Sequence, residues 1–372
     1  MKIFYDENIP YAKEFFSDFG ELVPFAGREL TAEQVKEADV LLVRSITQVN
    51  EQLLHLNTTL KFVGTATIGF DHIDQAYLQQ RGIVFTNAPG CNAISVAEYV
   101  LSALMVLVER LNVNLITKTV GIVGAGNTGT RLSEKLEALG INYLLCDPIL
   151  KKAGDSRKFC SLDEIRKCDI ISLHVPITKN NKHSTFHMFD QLVLAELSNK
   201  QILINACRGE VIDNQALLQL KKNNKGPHLV LDVWENEPNI LTELIPYCQL
   251  TTAHIAGYSL EGKSRGTEML YQALSKLLNK PVEMQLGKIL PKAEITCKNQ
   301  LSDNILDIVK QRIFDVYDVR RDDEIFREQL NIKSFDYLRK NYPVRREFSA
   351  LELSAQQCWS ETLKNLGFNV KS

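Results

Sequence analysis

Short apolar runs alternate with amphipathic helical patterns along most of this chain. Near the start, the apolar runs predict strands over Lys2–Tyr5, Val40–Val43, Phe62–Thr65 and Val84–Thr86. The more polar segments between them predict helices over Tyr11–Phe19, Ala32–Ala38 and Gln52–Leu56. Strands that alternate with helices of this length are typical of a parallel sheet covered on both faces.

A second alternating series begins at Thr119, after a long predicted helix at 94–111. VGIVG predicts a buried strand, the next residues a helix ending at Gly140, and INYLLCD a second strand. Four more strands are predicted over Ile170–His174, Gln201–Asn205, Leu229–Val233 and Gln249–Thr252. This series is typical of a doubly wound nucleotide-binding domain. A further helix is predicted over Ser259–Leu278.

The pattern changes after Pro281. Residues 281–372 contain only two glycines and lack the glycine turns that follow the earlier strands. They predict a separate α+β module with helices over Asp303–Val319 and Asp322–Gln329 and a strand over Phe348–Leu353. The predicted fold class is therefore α/β, with two doubly wound, Rossmann-like parallel-sheet domains and a C-terminal α+β domain.

Composition narrows the function classes. The 372 residues carry a formal charge of −2, which argues against a nucleic-acid or membrane-surface protein. The eight cysteines include no C-x-x-C pair, so free thiols in a reducing cytosol are expected. MKIFYDENIP lacks the apolar core of a signal peptide, and the run Tyr99–Val108 is too short to span a bilayer. A cytoplasmic protein that binds no metal is expected.

A glycine-rich segment, Gly124-Ala-Gly126-Asn127-Thr128-Gly129, follows a predicted strand directly and opens a helix. Its first glycine suits a tight turn, the second lets the backbone approach a pyrophosphate, and the third allows close packing of helix on strand. Asp147 ends the next strand, where a carboxylate accepts hydrogen bonds from a ribose 2′-hydroxyl and repels a 2′-phosphate. The pattern predicts an NAD site; a glycine turn in an unrelated α/β fold is the alternative.

Three polar residues follow later strands of the same series: Arg208, Glu237 and His254. Ligands of open α/β sheets bind at the carboxyl ends of strands. An arginine can hold a substrate carboxylate, a histidine can exchange a hydroxyl proton, and a glutamate can orient the imidazole. Each alone has an ordinary alternative, as a surface arginine, a solvated glutamate or a capping histidine. Together, after a dinucleotide motif, they favour hydride-transfer chemistry on a hydroxy acid.

Other candidates are weaker. His183 and His187 have a metal-like spacing, but no third ligand is near in sequence, so a surface loop leading into a helix is favoured. Cys207 is interpreted as a small packed thiol rather than a nucleophile. The pairs Arg320-Arg321 and Arg345-Arg346 are interpreted as solvated surface pairs.

VGIVGAGNTG, LINACRGEVIDNQAL, LDVWENEP and TAHIAGYSLEGKSRG resemble the D-isomer-specific 2-hydroxyacid dehydrogenases. MKIFYDENIPYA, LLVRSITQVNE, KFVGTATIGFDHID, PGCNAISVAEYV and the tail segments VYDVRRDD and RKNYPVRREFS narrow this to a group with such a tail and a phosphorylated substrate. The resemblance implies NAD-dependent oxidation of the C2 hydroxyl of a phosphorylated 2-hydroxy acid.

The resemblance also implies residue roles. Arg208, Glu237 and His254 match catalytic positions, with His254 as the proton donor or acceptor. Ser45, Thr67 and Tyr258 match substrate-contacting positions. The implied cofactor contacts, beyond the glycine-rich segment, are Asp147, Val175, Ala206, Cys207, Arg208, Asp232 and Gly257. Val175 stands where some relatives have a hydroxyl residue, so its contact would come through its backbone. Arg44, Arg345 and Arg346 are candidates for the substrate phosphate.

The implied domain organisation has three parts. Residues 1–95 and 257–280 form a discontinuous substrate-binding domain, 96–256 the NAD-binding domain with its linking helix 94–111, and 281–372 a dimerisation domain. A homodimer is therefore expected. Two alternatives remain: a dehydrogenase of another 2-hydroxy acid such as 3-phosphoglycerate, and an NAD-sensing regulatory protein.

Overall fold

The computed structural model describes residues 1–180, 182–295, 304–354 and 359–371. Its strands are β1 (Lys2–Asp6), β2 (Glu21–Phe25), β3 (Val40–Val43), β4 (Phe62–Thr65), β5 (Val84–Thr86), β6 (Thr119–Val123), β7 (Asn142–Cys146), β8 (Ile170–Leu173), β9 (Ile202–Asn205), β10 (His228–Leu231), β11 (Leu250–Thr251), β12 (Glu352–Ser354) and β13 (Asn369–Lys371).

Helices separate most of these strands. They are α1 (Ala12–Phe16), α2 (Ala32–Val35), α3 (Glu51–Leu54), α4 (Gln75–Gln80), α5 (Ala93–Leu111), α6 (Asn127–Ala138), α7 (Pro148–Lys152), α8 (Leu162–Ile165), α9 (Gln191–Glu196), α10 (Asn214–Lys222), α11 (Leu260–Leu277), α12 (Leu286–Ile289), α13 (Ile305–Val316), α14 (Arg320–Gln329), α15 (Phe335–Lys340) and α16 (Ser360–Asn365).

The first compact unit comprises residues 1–92 and 259–292. Its five parallel strands are ordered β2-β1-β3-β4-β5. Every residue of β3 and β4 is buried, as expected for central strands with helices on both faces. The core on one face includes Phe15, Phe62 and Leu270, and the core on the other includes Leu41 and Leu54.

The second compact unit comprises residues 93–258 and 293–372. Its six parallel strands are ordered β11-β10-β9-β8-β6-β7, and an isolated parallel bridge joins Leu145 of β7 to Phe159. This is the strand order of a dinucleotide-binding sheet in which one edge strand is reduced to a bridge. The long helix α5 is buried on all sides through most of its length, which its almost entirely apolar sequence requires.

The C-terminal tail packs into the core of this second unit. Val309, Ile313, Phe348 and Leu363 belong to the same apolar cluster as Leu136 of α6. Its own strands, β12 and β13, form a two-stranded parallel sheet. Because the contacts group this tail with the nucleotide-binding sheet, the three domains with boundaries at 95, 256 and 280 stay a prediction.

The two Rossmann-like sheets confirm the predicted fold class, and β3, β4 and β5 have the predicted bounds. The predicted start of the first tail helix, Asp303, lies outside the described residues, as do Cys297 and Cys358. The other cysteines are free thiols: Cys91, Cys146, Cys160, Cys168, Cys207 and Cys248. Among the described residues, no helix combines the length and apolar character that crossing a membrane requires.

Candidate active site

The glycine-rich turn between β6 and α6 has the geometry that a dinucleotide requires. Gly124 has a φ of +89°, and a Cβ there would meet the carbonyl oxygen of His174 at 2.4 Å. A Cβ on Gly129 would lie 2.0 Å from the carbonyl oxygen of Gly124, so a side chain would push α6 away from β6. A Cβ on Gly126 would meet nothing within 4 Å, which leaves this backbone open to approach.

The first turn of α6, which begins with Asn127 and Thr128, has no side-chain cap. Its backbone N–H groups can therefore bind an anion, and the helix dipole favours negative charge there. The chain's own residues thus fit the pyrophosphate of NAD.

Asp147 and Arg157 hold this turn from the adjacent segment. Asp147 follows β7, and its Oδ2 accepts the backbone N–H of Ala125 at 3.0 Å while Oδ1 caps the start of α7. Arg157 donates from Nη2 to the carbonyl oxygen of Ala125 at 2.9 Å and from Nη1 to Oγ1 of Thr130 at 2.8 Å. The carboxylate is fixed where the motif places a ribose contact. No motif pointed to Arg157.

His254 and Glu237 form a hydrogen-bonded pair. Nδ1 of His254 lies 2.7 Å from Oε2 of Glu237, and Oε1 accepts the backbone N–H of Trp234 at 2.9 Å. Burial raises the pKa of Glu237, but its bonds to His254 and Trp234 and the positive charge of Arg339 outweigh burial and lower it overall. The carboxylate stays ionised and accepts the Nδ1 proton, which assigns Nε2 of His254 as the nitrogen that exchanges a substrate proton.

The loop that carries His254 is fixed by Asp232. The backbone N–H of His254 donates to the carbonyl oxygen of Asp232 at 2.7 Å. The buried Asp232 carboxylate accepts the N–H groups of Ile255 at 2.7 Å and Ala256 at 3.0 Å. His254 has a φ of +57°, a left-handed conformation that these bonds stabilise. A contact of Asp232 with the nicotinamide stays a prediction, while its structural role is to position this loop.

Arg208, Glu237 and His254 follow β9, β10 and β11, which are neighbours in the sheet. Nη1 of Arg208 donates to the carbonyl oxygen of Cys207 at 2.7 Å, and Nδ2 of Asn205 donates to the carbonyl oxygen of Arg208 at 2.9 Å. These bonds hold the arginine at the carboxyl edge of the sheet. The three residues selected from the sequence therefore share one edge.

The thiol of Cys207 is packed in the interior and hydrogen-bonded. Burial raises its pKa to about 11, and its sulfur lies 3.2 Å from Oδ1 of Asn205. The prediction of a small packed thiol is confirmed. Ala206 beside it is also buried.

Val175 follows β8 and packs on the glycine-rich turn, since its Cγ1 would lie 2.9 Å from a Cβ on Gly124. The preceding residue, His174, is one that sequence reasoning missed. Burial lowers its pKa to about 4, so its ring is neutral near pH 7. Nε2 lies 2.8 Å from Oγ of Ser172, and Nδ1 is buried without a hydrogen-bond partner in the described segments.

Three of the implied substrate residues belong to the first unit. Arg44 and the exposed Ser45 follow β3, and Thr67 follows β4. Burial and the positive charge of Arg44 lower the pKa of Lys263 to about 8, which indicates that the two cations are close. Two neighbouring cations favour an anion between them.

Arg345 corrects one interpretation. The predicted solvated surface pair is wrong for this residue, which is 4% exposed. Its guanidinium donates to the carbonyl oxygens of Ala256 at 3.0 Å and Ser95 at 2.6 Å and lies 3.6 Å from the ring centroid of Tyr317. These bonds join the tail to α5 and to the loop after His254, while Nε of Arg345 is buried without a hydrogen-bond partner among the described residues. A phosphate contact for Arg345 stays a prediction. Arg346 is half-buried.

The other arginine pair and the two histidines also have defined surroundings. Arg320 lies at the surface and pairs with Asp318, as predicted. His183 and His187 lie in a loop before α9, as predicted, but His187 is half-buried. Nε2 of His187 lies 2.6 Å from Oε1 of Glu235, and Nδ1 lies 3.9 Å from Oδ2 of Asp213. Only the contact with Glu235 is a hydrogen bond, since 3.9 Å is too long for one. The fold thus brings two carboxylates beside His187 that are distant from it in sequence, and ligand atoms of the three side chains lie within 4.8 Å of one another.

Family models match two parts of the chain. The model described as the NAD-binding domain of D-isomer-specific 2-hydroxyacid dehydrogenases matches residues 107–256. A second model, described as a domain of unknown function, matches residues 289–367. The first match covers the glycine-rich turn, Arg208, Glu237 and His254.

Curated proteins match nearly end to end. The erythronate-4-phosphate dehydrogenase of Colwellia psychrerythraea is 56% identical over 99% of this chain and 100% of its own length. That of Tolumonas auensis is 51% identical over 100% of this chain and 99% of its own. Among solved structures, NAD⁺-bound 3-phosphoglycerate dehydrogenase from Entamoeba histolytica is 26% identical, with a TM-score of 0.62, over 78% of this chain and 99% of its own.

Proposed function

This chain belongs to the erythronate-4-phosphate dehydrogenases, a group of D-isomer-specific 2-hydroxyacid dehydrogenases, and we propose that it oxidises the C2 hydroxyl of 4-phospho-D-erythronate. The product is (R)-3-hydroxy-2-oxo-4-phosphobutanoate, in the biosynthesis of pyridoxine 5′-phosphate. Its cofactor is NAD, which when bound accepts the hydride. The observation that carries the proposal is the His254–Glu237 pair, in the same unit as the glycine-rich turn.

Proton transfer belongs to His254. Its Nε2 takes the hydroxyl proton, because Nδ1 already donates to Glu237. The imidazolium that forms is stabilised by the ionised Glu237 carboxylate at 2.7 Å. Glu237 thus orients the ring and favours its charged form.

Arg208 provides positive charge for the substrate carboxylate. Its guanidinium holds the C1 carboxylate and polarises the C2 oxygen, and a positioned donor of this kind contributes on the order of 3 kcal/mol to transition-state stabilisation. Ser45, Thr67 and Tyr258 contact the substrate in this proposal. Arg44, whose charge lowers the pKa of Lys263, is a further proposed contact of the phosphate.

The proposal also includes the oligomeric state of the protein and its cellular location. The tail is proposed to form the interface of a homodimer, as the resemblance implies. The free thiols of the described cysteines suit a reducing compartment, and the cytoplasm is the proposed location.

A substrate panel tests the proposal. NADH formation is measured with 4-phospho-D-erythronate, D-erythronate and 3-phosphoglycerate at matched concentrations. We expect efficient turnover of 4-phospho-D-erythronate alone. Turnover of only another acid would keep the dehydrogenase and overturn the substrate, and NAD binding without turnover of any acid would favour a regulatory protein.

A further inference from the structure

Helix α15 in the tail is held close to the loop that carries Glu237. Phe335, at its start, is buried and contacts Phe326 of α14 with ring centroids 6.2 Å apart. Phe326 stacks in turn on the buried Trp234, at 5.7 Å and an interplanar angle of 16°. Trp234 donates its backbone N–H to Glu237. A continuous row of aromatic rings thus fixes α15 relative to the catalytic pair.

Arg339, near the end of α15, extends toward the same pair. Its Nη2 donates to the hydroxyl oxygen of Tyr258 at 3.2 Å, and its guanidinium carbon lies 5.7 Å from the centroid of that ring. The charge of Arg339 also helps to lower the pKa of Glu237, which indicates that the two side chains are near one another. A tail residue therefore lies beside groups that surround His254.

The hydrogen bonds of Arg339 are incomplete. Its Nε is buried and has no hydrogen-bond partner among the residues that the structure describes, and no ion pair to Arg339 is found among them. A buried donor without an acceptor costs about 1–3 kcal/mol. The hydrogen bonds that Glu237 accepts come from His254 and from the backbone of Trp234, and none comes from this Nε. This arrangement fits a cation that binds an anionic ligand.

The substrate of the proposed function has two anionic ends. Arg208 takes the carboxylate next to C2, which leaves the phosphate at the other end. The planar fork of an arginine matches phosphate oxygens with paired hydrogen bonds. We propose that Arg339 binds the phosphate of the substrate and selects phosphorylated over unphosphorylated 2-hydroxy acids; this inference rests on the proposed function.

The test compares Arg339→Gln, Arg339→Lys and wild type in the full-length enzyme. The matched control is Lys340→Gln, which removes the same charge from the next residue of the same helix, an exposed one. For each protein, kcat/KM is measured with 4-phospho-D-erythronate and with D-erythronate. If turnover of erythronate is too slow to measure, the ratio of the dissociation constants of the two acids from the enzyme–NADH complex measures the selectivity of binding instead.

We expect Arg339→Gln to lower kcat/KM for the phosphorylated acid about 100-fold more than kcat/KM for erythronate, which loses only the smaller effect of removing a charge near Glu237. Arg339→Lys should recover part of the loss, because it restores charge without the fork. Lys340→Gln should match wild type. NAD affinity should be unchanged in all three variants, and a cooperative thermal transition shows that each variant is folded.

Two results would overturn the assignment. An equal loss for both acids would mean that Arg339 acts through Glu237 and His254, and wild-type selectivity in Arg339→Gln would mean that it does not contact phosphate. Failure of wild type itself to turn over 4-phospho-D-erythronate would instead contradict the proposed function, so the two failures are distinguishable.

Discussion

His254 and His187 each hydrogen-bond a glutamate of the same short loop. The distances are 2.7 Å to Glu237 and 2.6 Å to Glu235. Their surroundings differ, because Glu235 also accepts the backbone N–H of Asn214 and so ties His187 to the start of α10. His254 instead follows β11, at the carboxyl end of the sheet where Arg208 also lies. Both histidines are paired with a glutamate, so it is the position in the fold that distinguishes the proton-transfer residue His254 from His187, which stabilises the loop.

Replacing His254 with asparagine tests this difference at the residue scale. We expect His254→Asn to lower kcat by about a hundred- to ten-thousand-fold, because no group remains to take the hydroxyl proton. NAD affinity, measured by fluorescence titration, should be retained. His187→Asn is the matched control and should stay within about threefold of wild type. An equal loss in both variants would assign the effect to loop integrity and reject proton transfer by His254.

At the scale of elements, burial explains several successes and misses, although the partly exposed edge strand β5 also has its predicted bounds. Strands β3 and β4 are buried on both faces and read as continuous apolar runs, so their bounds could be predicted. Strand β2 was missed because it lies at the sheet edge, is partly exposed and contains Pro24. The six-residue helix α15 was missed because so short a segment has little periodicity to detect.

The sequence likewise predicted only part of the candidate site. Glycines in a tight turn and polar residues at strand ends follow local rules, and the sequence alone identified them. Arg339 follows no such rule, since it lies 81 positions from Tyr258 and meets it only through tertiary packing. The burial of Arg345 was equally unpredictable, because it depends on the packing of the tail on α5 and on the loop after His254.

The junction of α5, α6 and the tail contains a buried acid. Glu98 lies 3.5 Å from Nζ of Lys135 and accepts the backbone N–H of Phe348 at 3.1 Å. Burial raises the pKa of Glu98 to about 8, an effect that the charge of Lys135 offsets only in part. The folded state therefore holds this proton more tightly than the unfolded chain does, whose glutamate titrates near its ordinary value.

This difference predicts a pH-dependent stability. The contribution of Glu98 is fully present below the ordinary glutamate pKa and is lost as the pH rises to about 8, by at most about 1.4 kcal/mol per pH unit. Glu98→Gln mimics the protonated acid, so it should lose less stability than wild type between pH 6 and 8. Denaturant unfolding of both proteins across this range measures the effect. Parallel pH dependences would contradict a raised pKa.

At the scale of the whole molecule, the tail is part of the unit that holds the dinucleotide turn. Its Leu363 and Phe348 share a core with Leu136 of α6, and Asp323 of α14 accepts bonds from Thr251 of β11. The tail thus supports the strand that precedes His254. The same packing brings the charge of Arg339 near Glu237, as the proposed phosphate contact requires.

Isotope transfer from C2 tests the central claim most directly. 4-Phospho-D-erythronate deuterated at C2 is incubated with the enzyme and NAD, and the NADH formed is analysed by mass spectrometry. The account predicts that the NADH carries the deuterium, since the hydrogen leaves C2 as hydride while His254 takes only the hydroxyl proton. Unlabelled NADH, or deuterium released into water, would contradict it.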